Sequence, residues 1–131
     1  MCLVQIGINN NFKRHIIYLI NMAERIRAIM IVEIAGRPAE HVKESLENHV
    51  GQLRDKVKDV DVVSINISEP RKIEEAQQEL YTCFAEIEFD CPNFLRLTEI
   101  VFDFMPSSVE IVEPNELKMN AQEATSFINI L

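Results

Sequence analysis

The chain has 131 residues, the size of one domain with a core of its own, and 47% of them are hydrophobic, as in ordinary globular proteins. Its formal net charge of -8 excludes sequence-independent nucleic-acid binding, which depends on Lys and Arg displacing counterions from phosphates. An anionic membrane surface is disfavoured for the same reason.

Residues 1–21 differ from the rest: they hold Lys13 and Arg14, no acid, and the run Asn9 to Asn11. The apolar run from Ile16 to Ile20 is shorter than a membrane span or a signal-peptide core. Met22 begins MAERIRAIMIVEIAG, which runs straight into a strand, so residues 1–21 read as an N-terminal extension from a mis-called start. The alternative is an added strand over Cys2 to Ile8.

From Ile26 to Ala35 the chain is apolar on both faces, which predicts a central strand ended by Gly36 and Pro38. Val42, Leu46, Val50, Leu53 and Val57 then recur at spacings of four and three, the stripe of a helix of about five turns. Val62 to Ser68 alternates with Val63, Ile65 and Ile67 on the core side, and Leu80 to Phe89 alternates with Tyr81, Cys83, Ala85, Ile87 and Phe89. The charged stretch from Glu69 to Glu79 between them is too long for a tight turn and reads as an exposed loop. Asp90, Cys91 and Pro92 open a second helix whose polar residues, Arg96, Glu99 and Asp103, form one stripe, so the rest of it should be mostly buried. Pro106 stops it. Val109 and Ile111 mark a fourth strand ending at Pro114, and a last helix runs from about Asn115 to the terminus.

The order strand, helix, strand, strand, helix, strand predicts an α+β, ferredoxin-like βαββαβ sandwich over residues 22–114, followed by a C-terminal amphipathic helix over 115–131. Right-handed crossovers place the first and third strands in the middle. One sheet face then meets the helices. The open face receives Ile29, Ile31, Glu33, Leu80, Thr82, Phe84, Glu86, Glu88, Glu110 and Val112.

EIAGRPAEHV at Glu33 to Val42 and DFMPSSVEIVEP at Asp103 to Pro114 resemble short uncharacterised archaeal proteins, over the chain from Met22 onward. The strand, glycine, turn and helix beginning at Val32 also resemble, loosely, the ACT ligand-sensing domains, which implies a small ligand near that turn. After the glycine stand Arg37, Pro38 and Ala39, where ACT domains place an acidic residue and a Pro-Gly pair.

Gly36, Arg37 and Pro38 are the candidate ligand-binding residues: a helix N-terminus and a guanidinium together attract a small anion, although Glu40 competes for the same positive end. Glu33, Glu86, Glu88 and Glu110 read as solubility and edge protection of an exposed sheet rather than a cation site. Cys2, Cys83 and Cys91 show no CxxC or CxxH spacing, so they read as reduced thiols of a cytoplasmic protein, with Cys83 a small buried hydrophobe. His41 and His49 lie eight residues apart, not stacked as a metal pair, and His49 borders the apolar stripe. No nucleophile motif, phosphate loop, metal motif or dinucleotide fingerprint occurs, and no metal or cofactor is expected. Leu117, Ala121, Ala124, Ile128 and Leu131 form a narrow heptad seam that predicts a contact with another helix or another copy. The leading expectation is a non-catalytic association or regulatory module, a homo-oligomer or a subunit of an assembly. An ACT-like sensor at Gly36 and Arg37 is the alternative, and an enzyme of unknown chemistry on the same sandwich is the third.

Overall fold

The computed structural model describes residues 25–130, so the readings for residues 1–21, for Cys2 to Ile8 and for Leu131 fall outside the described residues. Five strands and three helices follow in order: β1 (Ile26–Gly36), α1 (Ala39–Lys56), β2 (Asp61–Ile67), β3 (Arg71–Lys72), β4 (Tyr81–Cys91), α2 (Phe94–Phe104), β5 (Ser108–Glu113) and α3 (Ala121–Ile130). The fold is α+β, with one antiparallel sheet in the order β2, β4, β1, β5 and with β3 also paired to β4. The two long strands thus lie in the middle.

Every second residue of β1 from Ile26 to Val32 is buried, and so is every second residue of β4 from Cys83 to Cys91. That period of two turns one face of both strands toward the helices. The stripe of α1, with Val42, Leu46, Val50 and Leu53 buried, closes the core from above. At the start of α1 the carbonyl of Pro38 accepts from the amides of His41 and Val42, at 3.0 and 3.2 Å. Glu40 in its first turn and Arg54 and Lys56 in its last match the helix dipole. Among the described residues no helix is long and apolar enough to cross a membrane.

Several local features depart from the sequence reading. Val63 does not face the core: a bulge between Val62 and Ser64 pairs Val62 with Phe89 and Ser64 with Glu88, which leaves Val63 48% exposed. Val62 packs on the core in its place. Part of the charged loop is a strand, because Arg71 and Lys72 pair with Thr82 and Tyr81, and the Ile73 amide then donates to the Leu80 carbonyl. Asp90 and Cys91 belong to β4; α2 starts later, where the Asn93 side chain accepts from the Arg96 amide at 2.8 Å as a helix cap. α2 is also less buried than expected, since Phe102 is 45% exposed.

The C-terminal helix starts at Ala121 rather than near Asn115. Asn120 accepts from the Glu123 amide at 2.8 Å and donates to the Glu123 carboxylate at 3.3 Å, a reciprocal cap that fixes the first turn there.

Met105 ends α2 in the left-handed region, φ 49° and ψ 52°, with its amide donating to the Val101 carbonyl at 2.9 Å. A side chain strains that conformation, and Met105 is 77% exposed, so little packing offsets the strain. Met105→Gly is therefore expected to raise stability by about 0.5–1 kcal/mol. Urea denaturation of both proteins measures it; a loss of stability would contradict the assigned cap.

Candidate functional site

Gly36 closes β1 in register with Tyr81, and Pro38 occupies the cap position of α1 without a side-chain cap. Arg37 and Pro38 are exposed. They line a shallow depression with Ala39, Glu40, Glu79 and Tyr81, in which the Tyr81 hydroxyl donates to Glu79 at 2.6 Å and its own pKa is raised by that bond. Arg37 and Pro38 thus share this surface, while Gly36 stands beside it at the end of β1. The structure also adds Tyr81 and Glu79, which no sequence spacing connects to the turn. Two carboxylates there outnumber one guanidinium, which opposes a free anion.

The open face of the sheet is a checkerboard. Across β1 and β4, Ile29 stands opposite Glu88, Ile31 opposite Glu86 and Glu33 opposite Phe84. Glu110 of β5 stands opposite Ile29 on the other side. Ile29 and Ile31 are half-buried within the sheet, while Phe84 is 42% exposed. At one end Arg27 grips Asp90 through two bonds of 2.9 and 3.0 Å, and the bond from Arg27 holds the Asp90 carboxyl below the usual carboxylate range. At the other end Thr82 donates to Glu33 at 2.8 Å. The positive charge of Arg27 is thus matched locally, Arg71 stands opposite Thr82 at the β3 edge, and the other charges of the face are acidic. Among the described residues no three His, Cys, Asp or Glu side chains come together as a metal site.

The predicted seam at the C-terminus is distributed differently. Leu117 lies in the non-helical stretch before α3, Ala121 is exposed at its start, and Ile128 is 64% exposed. Ala124, Ser126, Phe127 and Ile130 are the half-covered positions, and the Phe127 ring lies 5.3 Å from that of Phe94 on α2. α3 packs on α2 through Phe127, a residue the heptad reading passed over because aromatic size, not spacing, selects it.

Residues 27–131 match the family model described as the MJ0538 family, a span that takes in nearly all the described elements. The chain belongs to the MJ0538 family. No curated protein and no solved structure matches it. The family is an uncharacterised one, in line with the resemblance carried by the two stretches at Glu33 and Asp103, and the match provides no link to ACT domains.

In this MJ0538-family chain Cys83, Cys91 and His49 sit in structural positions. Cys83 and Cys91 are buried free thiols, and burial pushes the Cys91 thiol up to about 11. Cys83 lies against Ser68, whose carbonyl accepts from its sulfur at 3.1 Å. His49 packs its ring 5.1 Å from Phe104. Arg96 is held by Asp59 and Glu99 at 2.9 and 2.8 Å, joining the end of the α1–β2 loop to α2.

At neutral pH a disulfide-exchange reagent is expected to leave Cys83 and Cys91 unlabelled in the folded protein and to label both in denaturant. Because folding raises the Cys91 pKa from 9.0 to about 11, the unfolded chain loses its proton first, and stability should fall as pH rises through that interval. Peptide mass spectrometry and alkaline melting curves read the two effects. Rapid labelling of Cys91 in the native protein would contradict its burial.

Proposed function

We propose that this domain is a non-catalytic association module, cytoplasmic and ferredoxin-like in its strand order, that works as a subunit of an assembly through the open face of its sheet. The strand order β2, β4, β1, β5 with two crossover helices supports the fold name. The observation that carries the function is the apolar centre of Ile29, Ile31 and Phe84 set among acids, on a face that no described element covers. Parallel or stacked copies would bring Glu33, Glu86, Glu88 and Glu110 toward their own counterparts. A different subunit with basic residues around an apolar centre therefore fits better than a second copy, and a homo-oligomer through this face is the lesser form of the proposal. The exposed Ile128 on α3 offers a secondary contact in the same module.

An ACT-like sensor remains the second reading, and it requires a ligand that tolerates Glu40 and Glu79 beside Arg37. The discriminating measurements are simple. Affinity capture from the native cell with wild type and with Phe84→Thr should show one protein that is lost with the variant and that re-forms a complex from purified components. Phe84→Thr keeps a strand-forming residue at a partly exposed position and should change stability by under about 1 kcal/mol. Sedimentation should show self-association, if any, weakening on Ile128→Asp. Capture that is indifferent to Phe84→Thr contradicts the open face as the interface, and melting temperatures that rise with free amino acids or nucleotides would favour the sensor.

A further inference from the structure

A second concave feature lies on the opposite side of the domain from the Arg37 turn, between the start of β1, the first turn of α2 and the connection to α3. It is a cavity of about 500 Å³, within the size range of small-molecule sites. Ile26, Phe94, Leu95, Leu117, Met119 and Phe127 form its apolar wall. These residues come from four separate parts of the chain, and the Phe94–Phe127 ring contact stands where α2 meets α3.

Two observations point to an occupant. The first is the wall itself: Leu117 and Met119 line the cavity yet stay 41% and 40% exposed. Covering two such side chains is favourable through the hydrophobic effect, and nothing among the described residues completes the cover. The stretch that carries them, residues 114–120, has no regular secondary structure. Contacts in the cavity would fix it.

The second observation is the charge of the rim. Glu116, Lys118 and Glu123 border the cavity, two carboxylates against one ammonium. Glu123 also accepts from Asn120, and the Asn93 oxygen is taken up by the Arg96 amide, so these two side chains serve helix caps. An anionic head is disfavoured there. The volume also sets the scale: a protein partner covers on the order of 800 Å² of surface, whereas this cavity suits a compact molecule.

We propose that this cavity binds a small, largely apolar molecule, neutral or cationic, and that its binding clamps α3 onto α2. The site is independent of the open sheet face. The full chain is titrated with Nile red, a neutral fluorescent probe, and the bound probe is displaced with decanol, decylamine and decanoate. The expected result is saturable binding of one probe, with decanol and decylamine displacing it at least tenfold better than decanoate. Bound decanol should raise the melting temperature and slow amide exchange over residues 121–130. Leu117→Asp and Met119→Asp replace exposed side chains, so each should keep the unliganded circular dichroism and melting temperature while losing probe binding. Phe84→Thr should bind normally. No saturable binding by the wild type, undiminished binding by both aspartate variants, or a preference for decanoate would each overturn the proposal. Binding lost on Phe84→Thr but kept in the aspartate variants would place the probe on the sheet face and overturn it as well.

Discussion

Everything else in this fold depends on the ladder between β1 and β4. The two strands run antiparallel through eleven consecutive pairs, from Ile26 opposite Cys91 to Gly36 opposite Tyr81. On the helix side four pairs match large with small, Ile26 with Cys91, Ala28 with Phe89, Val32 with Ala85 and Ile34 with Cys83, while Met30 faces Ile87 at the centre. The stripe of α1 packs on these side chains to form the buried core. The ladder joins residues far apart in sequence, so its loop-closure cost has to be met by apolar burial over its whole length. The edge strands β2 and β5 and both crossover helices all pack against this two-stranded platform.

That platform was legible in the sequence because its signals are local and redundant. β1 is apolar on both sides, β4 alternates over most of its length, and the α1 stripe repeats through five turns; each of these is a pattern that one strand or helix carries alone. The details that failed are those decided by a partner. Nothing in the alternation of Val62 to Ser68 reveals that Val63 is the unpaired residue, because the bulge is set by which residues of β4 lie opposite. Arg71 and Lys72 carry no strand signal at all; they pair because β4 extends past the end of β2 and offers backbone groups there. Helix starts were displaced by the stronger caps, Asn93 and Asn120, that stood a few residues beyond the expected openings.

The candidate surfaces divide along the same line. The alternation that identified the open face also identified its residues, so Ile29, Ile31, Phe84 and their acids could be named before any contact was known. The cavity could not be read that way. Ile26, Phe94, Met119 and Phe127 share no spacing and meet only because α3 folds back on α2, and Phe127 sits off the seam that helical periodicity picks out. Likewise Glu79 and Tyr81 reach the Arg37 turn through the β1–β4 register, which turns an apparently cationic corner into one with excess carboxylate.

The two surfaces should work independently, for a reason contained in the ladder. β1 contributes to both: Ile26 lines the cavity, and Ile29 and Ile31 form the centre of the open face. Coupling between sites needs an element with two arrangements of similar energy. β1 has none, because a shift by one residue would send its buried face to solvent and break eleven pairs at once. The loosely held parts are the stretch of residues 114–120 and α3, which has no buried residue and rests on α2. A molecule in the cavity can order those parts while the sheet face keeps its shape. The domain thus combines a rigid acidic platform with an adjustable clamp on a separate edge, and only the clamp has conformational freedom for a ligand to remove.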